Sequence, residues 1–287
     1  MCTARHCCRN GLLLYLTITI ELRMVAASRL VQVINLHRMG FMPAFDIQTH
    51  HARNLLDYIA GRTSPKSPNV LLLVEHNPVY TVGIRYKNYS KEVEIKLKSL
   101  GAEFYRTNRG GLITFHGPGQ LVAYPVIHLK DFQYGVRDYV FSLEKTMIRT
   151  CGHFGLKART TENIGTWIGD RKIGAIGIHA SRFVTTHGVS LNCNVNLDWF
   201  KHIVPCGLEG KEVTSLDKEL KKNVTTEHTI PFFLESFQDK FQCELDFKML
   251  EEHDYTIIPT KKNLSRIKEN LAINASTSIL TESACCS

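Results

Sequence analysis

The sequence predicts an α/β (α+β) fold built on a mixed β-sheet with flanking helices, not a parallel doubly wound sheet. Three observations carry this. Strand-like and helix-like patterns interleave from Leu30 to Phe241. Hairpin signals recur, Gly169-Asp170 between two apolar runs being the clearest. No linker-like stretch interrupts residues 29–260, so one domain accounts for them, with 1–28 as a leader or extension and 261–287 as a polar tail of weak patterning.

Taken in order, Leu30 to Leu36 (LVQVINL) alternates as a strand does. Asp46 is placed to cap a helix running to about Ala60, with Leu55, Leu56 and Ile59 on one side. Gly61 to Pro68 is a loop, Val70 to Val74 a fully apolar strand, and Glu75-His76-Asn77-Pro78 turns the chain into a strand at Val79 to Val82. Ser90 to Leu100 is a helix closed by Gly101, and Glu103 to Arg106 a strand. Ile113 to Phe115 and Leu121 to Ile127 are strands joined by the tight turn His116-Gly117-Pro118-Gly119. Val136, Val140, Leu143 and Met147 recur at helical steps over Val136 to Cys151, with Gly152 ending the helix. Strands follow at Asn163 to Ile168, Lys172 to His179, Phe183 to Thr185 and Gly188 to Val195. A short helix is expected at Thr214 to Leu220. Another is expected at Thr229 to Phe241, with Phe233, Phe237 and Phe241 on one stripe.

Composition narrows the class. Of 287 residues, 44% are hydrophobic and 22% charged, ordinary for a globular chain whose core needs no cofactor to form. A formal net charge of +8, dispersed along the chain, is too mild to mark a nucleic-acid binder. It favours acidic macromolecular partners, among which acidic carrier proteins fit as well as nucleic acid. The nine cysteines are odd in number and irregular in spacing, which argues against a disulfide framework and for a reducing compartment; no CxxC pair supports a structural zinc. The leader carries Arg5 and Arg9, then an apolar run from Gly11 to Ile20 that is too short to span a bilayer. It reads as a secretory signal, an organelle presequence or an extension upstream of a start at Met24.

Three stretches can carry chemistry. Arg109 to Leu129 (RGGLITFHGPGQLVAYPVIHL) sets glycines and prolines around His116, a loop suited to wrapping a ligand with bare amides. His116 itself reads as a hydrogen-bonded turn residue before it reads as an acid or base. Lys172 opens KIGAIGIHA, where strand alternation sets it on the side of Gly174, Ile176 and Ile178. An ammonium among apolar groups can serve as a base, or when charged can draw a neighbouring thiol toward thiolate. The bland alternative is a strand-end lysine in water beside Asp170. Cys206 sits between Pro205 and Gly207, a turn able to expose a nucleophilic sulfur; the alternative is a buried thiol acting as a small hydrophobe, the reading favoured for Cys193. His76, His179, His187 and His202 are scattered along the chain with no HExxH spacing, and P-loop, GxGxxG and GxSxG patterns are absent.

The stretch RGGLITFHGPGQLVAYPVIHL closely resembles the signature of lipoyl(octanoyl) transferases, and the likeness continues through RKIGAIGIHASRFVTTHGVSLNCNVNLDWFKHIVPCGLEGKEVTSL, covering roughly residues 30–245. The resemblance implies a biotin/lipoate ligase-like fold and a transfer of octanoyl from octanoyl-acyl carrier protein to the target lysine of lipoyl domains, those of 2-oxoacid dehydrogenase complexes and of the glycine cleavage H protein. By motif, it assigns Cys206 as the acyl-thioester nucleophile and Lys172 as the partner that tunes the thiol. It places substrate contacts on Arg109, Gly110, Gly111, Leu112, Ile113, Thr114, Phe115 and His116, on Ala175, Ile176 and Gly177, and on Gly188, Val189 and Ser190. It further implies no metal, no cofactor, no ATP, no nucleic-acid or membrane partner, and a mitochondrial setting. An ATP-dependent lipoate or biotin ligase of the same fold is the alternative enzyme, and a silent acyl-carrier-binding module the alternative of another class.

Overall fold

The computed structural model describes residues 29–85, 89–204 and 210–247. Its centre is strand β2 (Asn69–His76), in which Val70 to Val74 are all buried. Such a strand, covered on both faces, has no polar side to display and so shows as an unbroken apolar run. Alternate residues Val70, Leu72 and Val74 join the core formed with helix α1 (Phe41–Ile59), leaving Leu71 and Leu73 to the opposite face. Strand β1 (Leu30–Met39) pairs with β2 in parallel, Val33 opposite Leu71. On its other side β2 pairs antiparallel with β6 (Gln120–Val126).

The sheet then continues antiparallel through β10 (Val184–Asn192), β9 (Arg171–Ser181), β8 (Thr166–Ile168) and β7 (Ala158–Arg159). With β11 (Glu244–Phe247) beyond β1 it has eight strands among the described residues, in the order β11-β1-β2-β6-β10-β9-β8-β7. A second sheet has three: β4 (Glu103–Arg106), β3 (Val79–Val82) and β5 (Ile113–His116), with β3 central. Tyr80, Val82, Ile113 and Phe115 build its own core with Leu97 of α2 (Lys91–Ser99) and with Phe200 of the 3-10 helix Leu197–His202. Helix α3 (Val136–His153) packs against α5 (Thr226–Phe241) and touches β7, β8 and β9. The phenylalanine stripe of α5 is buried as its spacing predicts, Phe237 stacking on Phe241 at 4.1 Å.

The mixed sheet and flanking helices match the predicted class, while several boundaries move. Helix α1 begins at Phe41, five residues before Asp46, with Gly40 as its N-cap. Pro43 falls in the first turn, where proline costs little because the N–H there has no intrahelical partner. Helix α5 likewise starts early, at Thr226, because the Thr225 hydroxyl accepts from the His228 N–H. Strand β10 is continuous from Val184: Arg182 and Phe183, both at positive φ, make a two-residue hairpin turn without glycine. The 117–120 turn is as expected, Gln120 N–H donating to Gly117 O at 3.1 Å with Gly119 at φ +81°. The short helix expected at Thr214 is α4 (Leu216–Leu220).

Two glycines decide how tightly the strands approach. A Cβ on Gly188 of β10 would lie 2.1 Å from the Ala123 carbonyl oxygen of β6, and one on Gly177 of β9 would press on Arg109 Cδ and Gly110 O at 3.1 Å. The first obstacle is backbone with no room to yield. Gly188→Ala is therefore expected to destabilise the fold by about 3 kcal/mol, read as a lower urea midpoint with unchanged slope, whereas Gly152→Ala, in a helix and meeting nothing within 4 Å, is expected to raise the midpoint, by up to about 1 kcal/mol of stability.

Candidate active site

A pocket opens where the small sheet and the first turn of α1 stand over β6, β10 and β9. Strand alternation explains its walls. On β5, Ile113 and Phe115 turn into the small-sheet core, so Thr114 and His116 face the pocket. On β6, Val122 and Tyr124 face it. From β9 and β10 come Ala175-Ile176-Gly177 and Gly188-Val189-Ser190, paired Gly177 to Gly188, Ile176 to Val189 and Ala175 to Ser190. The space not filled by atoms amounts to about 410 Å³, part of it open to solvent.

Arg109 closes one side. Its guanidinium is buried, the residue being 7% exposed, and is bound by acceptors. Nη2 donates to Thr81 O at 2.6 Å and Leu112 O at 2.9 Å, and Nη1 to Gly110 O at 3.0 Å. Gly110 N–H donates in turn to Ile178 O of β9 at 2.9 Å. Gly110, Gly111 and Leu112 thus form the strap that carries the arginine rather than the lining itself.

Histidines that are far apart in sequence gather here. The ring of His76 lies 6.0 Å from that of His116, and Tyr124 lies between His76 (5.9 Å) and His187 (6.4 Å). The hydrogen bonds fix their protons. Gln120 Nε2 donates to Asn192 Oδ1 (2.8 Å) and Phe115 O, so its Oε1 accepts from His116 Nδ1–H at 2.7 Å. His76 Nδ1–H donates to Met39 O at 3.2 Å, which leaves Nε2 to accept from the Tyr124 hydroxyl at 2.8 Å. Burial, chiefly, depresses all three imidazoles: His76 to about 4, His116 to about 3 with help from His76, and His187 to about 3 with help from the Arg109 charge. They are neutral at physiological pH. His116 is the hydrogen-bonded turn residue expected, and also part of the lining.

Lys172 is not the exposed strand-end lysine of the bland reading. It is 6% exposed, with Nζ donating to Ile164 O at 3.0 Å and standing 5.4 Å above the Trp167 ring. Backbone pairs hold it on both sides: Lys172 N–H to Glu212 O and Thr214 N–H to Lys172 O, each 2.9 Å. It lines a smaller recess of about 270 Å³ with Gln120, Asn192 and Phe200, and Thr114, Ala175 and Ser190 line this recess and the main pocket alike. The two spaces therefore adjoin across those three residues. Cys206 lies outside the described residues. Cys193 is fully buried, and burial pushes its thiol up to about 12, the inert structural role expected of it.

Arg109, Thr114 and His116 thus meet Ala175 to Gly177 and Gly188 to Ser190 at one place, with Ile113 and Phe115 behind the wall. Sequence reading missed Phe41, Thr81, Val122, Tyr124 and His187 as lining. His187 does carry a signal in the structure: it holds φ +57° inside β10, and its N–H is fixed by Gln48 Oε1. Because the unfolded chain binds protons on these histidines below about pH 6.5 and the folded chain does not, stability falls as pH drops through that range. Going from pH 7 to 5 removes roughly 2 kcal/mol per histidine. Urea titrations at the two pH values measure the loss, and His187→Asn, which tolerates positive φ, is expected to reduce it by about one histidine's share.

Comparison with known proteins agrees with this geometry. Residues 50–238 match the lipoyl protein ligase A/B catalytic domain family. The chain is 51% identical over 217 residues to the mitochondrial octanoyl-acyl-carrier-protein:protein N-octanoyltransferase of Danio rerio, covering 76% of this chain and 95% of that one. Against the Homo sapiens protein of the same name, identity is 41% over 220 residues, 75% of this chain and 95% of that one. Among solved structures, a putative lipoate protein ligase from T. acidophilum superposes with a TM-score of 0.58 at 14% identity, over 83% of this chain and 92% of that chain, a likeness of fold alone. The chain belongs to the lipoyl protein ligase A/B catalytic-domain family and, within it, to the octanoyltransferases, and is an acyltransferase.

Proposed function

We propose that this enzyme moves an octanoyl group from octanoyl-acyl carrier protein to the target lysine of lipoyl domains by way of a thioester on Cys206. The observation that carries the reading is Lys172: a lysine buried in a recess that adjoins a pocket, with no carboxylate paired to it among the described residues. A lysine amine kept from water with no carboxylate partner is placed to exchange a proton with a thiol beside it. The names of the relatives support the donor, and support a mitochondrial setting. By the same reading residues 29–260 are the catalytic unit, and Arg109, Thr114 and His116, with Ala175 to Gly177 and Gly188 to Ser190, contact the substrate.

The chemistry runs in two halves. Lys172 Nζ takes the Cys206 proton, and the thiolate attacks the thioester carbonyl. The new C–S bond forms as the carrier's sulfur leaves, and that sulfur recovers the proton from Lys172. A neutral lysine amine of the lipoyl domain then attacks the acyl-cysteine. Its proton passes to Lys172 and on to the departing Cys206 sulfur. Thioester exchange is near neutral and amide formation runs downhill, so orientation is the main requirement and no nucleotide is consumed. Backbone amides of the glycine-rich segments are the donors suited to the developing oxyanion. The H protein of glycine cleavage and the 2-oxoacid dehydrogenase complexes supply acceptors of the required kind.

Intact-protein mass spectrometry after mixing with octanoyl-acyl carrier protein tests the proposal. One hydroxylamine-labile octanoyl adduct mapping to Cys206 is expected. Cys206→Ala should form none and lose all transfer to a lipoyl domain. Lys172→Ala should fold and lose at least about a hundredfold in rate. Transfer that strictly requires ATP would favour the ligase chemistry instead.

A further inference from the structure

The pocket has two ends along the strands. Gln120 of β6, Asn192 of β10 and Lys172 of β9 line only the recess at one end. Tyr124 of β6 and His187 of β10 line only the main pocket. From Ser190, which borders both spaces, to His187 is three residues, and from Gln120 to Tyr124 four. At the strand rise these are about 10 Å and about 13 Å. The path along the strands from the Lys172 recess to the far wall thus matches the length of an extended chain of about eight carbons.

The far wall is closed by Phe41, the first residue of α1. Its ring packs 5.3 Å from Tyr105, 5.6 Å from His76 and 5.9 Å from Phe45, whose own ring lies 5.6 Å from His187. The polar groups of this wall are engaged with the protein: the Tyr124 hydroxyl with His76, and His187 Nε2 with Asn108 Oδ1 at 2.8 Å. Their N–H and O–H groups are thereby committed to the protein and not to the pocket. The wall is also stiff, because His187 holds positive φ inside a paired strand and Phe41 starts a helix wedged against two sheets.

We propose that Phe41, backed by Tyr124 and His187, sets the acyl-chain length that the enzyme accepts. This rests on the reading above, in which the acyl head lies at Lys172. One buried methylene more or less changes specificity by about tenfold or more in a rigid pocket.

The test compares hexanoyl-, octanoyl-, decanoyl- and dodecanoyl-acyl carrier protein as donors to a lipoyl domain, for wild type, Phe41→Ala, Phe41→Leu and Phe41→Trp. Wild type should prefer octanoyl. Phe41→Ala should raise the kcat/KM ratio of decanoyl to octanoyl by about tenfold or more, and Phe41→Trp should shift preference toward hexanoyl. Should Phe41→Ala fail to fold, Phe41→Leu carries the same direction at smaller amplitude. Thermal shifts with the free C6 to C12 fatty acids form a second readout that needs no catalysis. If wild type transfers no acyl group, the catalytic reading fails. The wall then stands only if residue 41 reorders the fatty-acid shifts. An unchanged chain-length ranking in folded variants, by transfer or by thermal shift, overturns the proposal.

Discussion

Burying the Arg109 guanidinium requires acceptors on several sides, and the chain brings them from both sheets and the strap between. Thr81 of the small sheet supplies its carbonyl and hydroxyl, Gly110 and Leu112 supply carbonyls from the loop, and the Cδ end passes over Gly177 of the large sheet at a distance no larger residue would permit. A charge held this way costs little only while every one of those groups stays in place. It therefore fixes the angle between the sheets, and that angle is the pocket. At Gly177 an added Cβ would come within 3.1 Å of Arg109 Cδ and Gly110 O, which is a packing reason and a ligand-site reason at once.

Burial, first of all, keeps the histidines neutral. His76 adds to it at His116, and the Arg109 charge adds to it at His116 and His187. Each is neutral and has a ring nitrogen bound to a protein group, so the patch offers the pocket no charged group. A wall of His and Tyr that looks polar in composition thereby becomes compatible with a hydrocarbon chain. The acid sensitivity of the fold is the consequence.

Lys172 sits at the opposite end under a different constraint. Its backbone is pinned by residues 212 and 214 and its ammonium by Ile164 O and the Trp167 face, all neutral partners. Asn192 links the two ends: its amide donates to Thr214 O at 2.8 Å while its oxygen accepts from Gln120, which orients His116. One buried polar chain thus runs from the pocket wall to the strand beside the lysine, and fully satisfied networks of this kind hold a single geometry.

Local chemistry made much of this protein legible from sequence. The Gly-Pro-Gly turn, the Gly169 hairpin, the continuous apolar strand at Val70 to Val74 and the phenylalanine stripe of α5 each follow from rules acting over a few residues. The glycine-rich segments and Lys172 marked the site because those residue types are rare in strands without a reason. What the sequence alone could not decide was which distant side chains share a wall. His76 and His187 look scattered until β2 and β10 bring them to His116 of β5, and Phe41 lies ahead of the predicted helix until that helix forms against the sheets. Pocket depth and the neutrality of the imidazoles depend on tertiary burial, since packing acts between residues as far apart in sequence as Gln48 and His187.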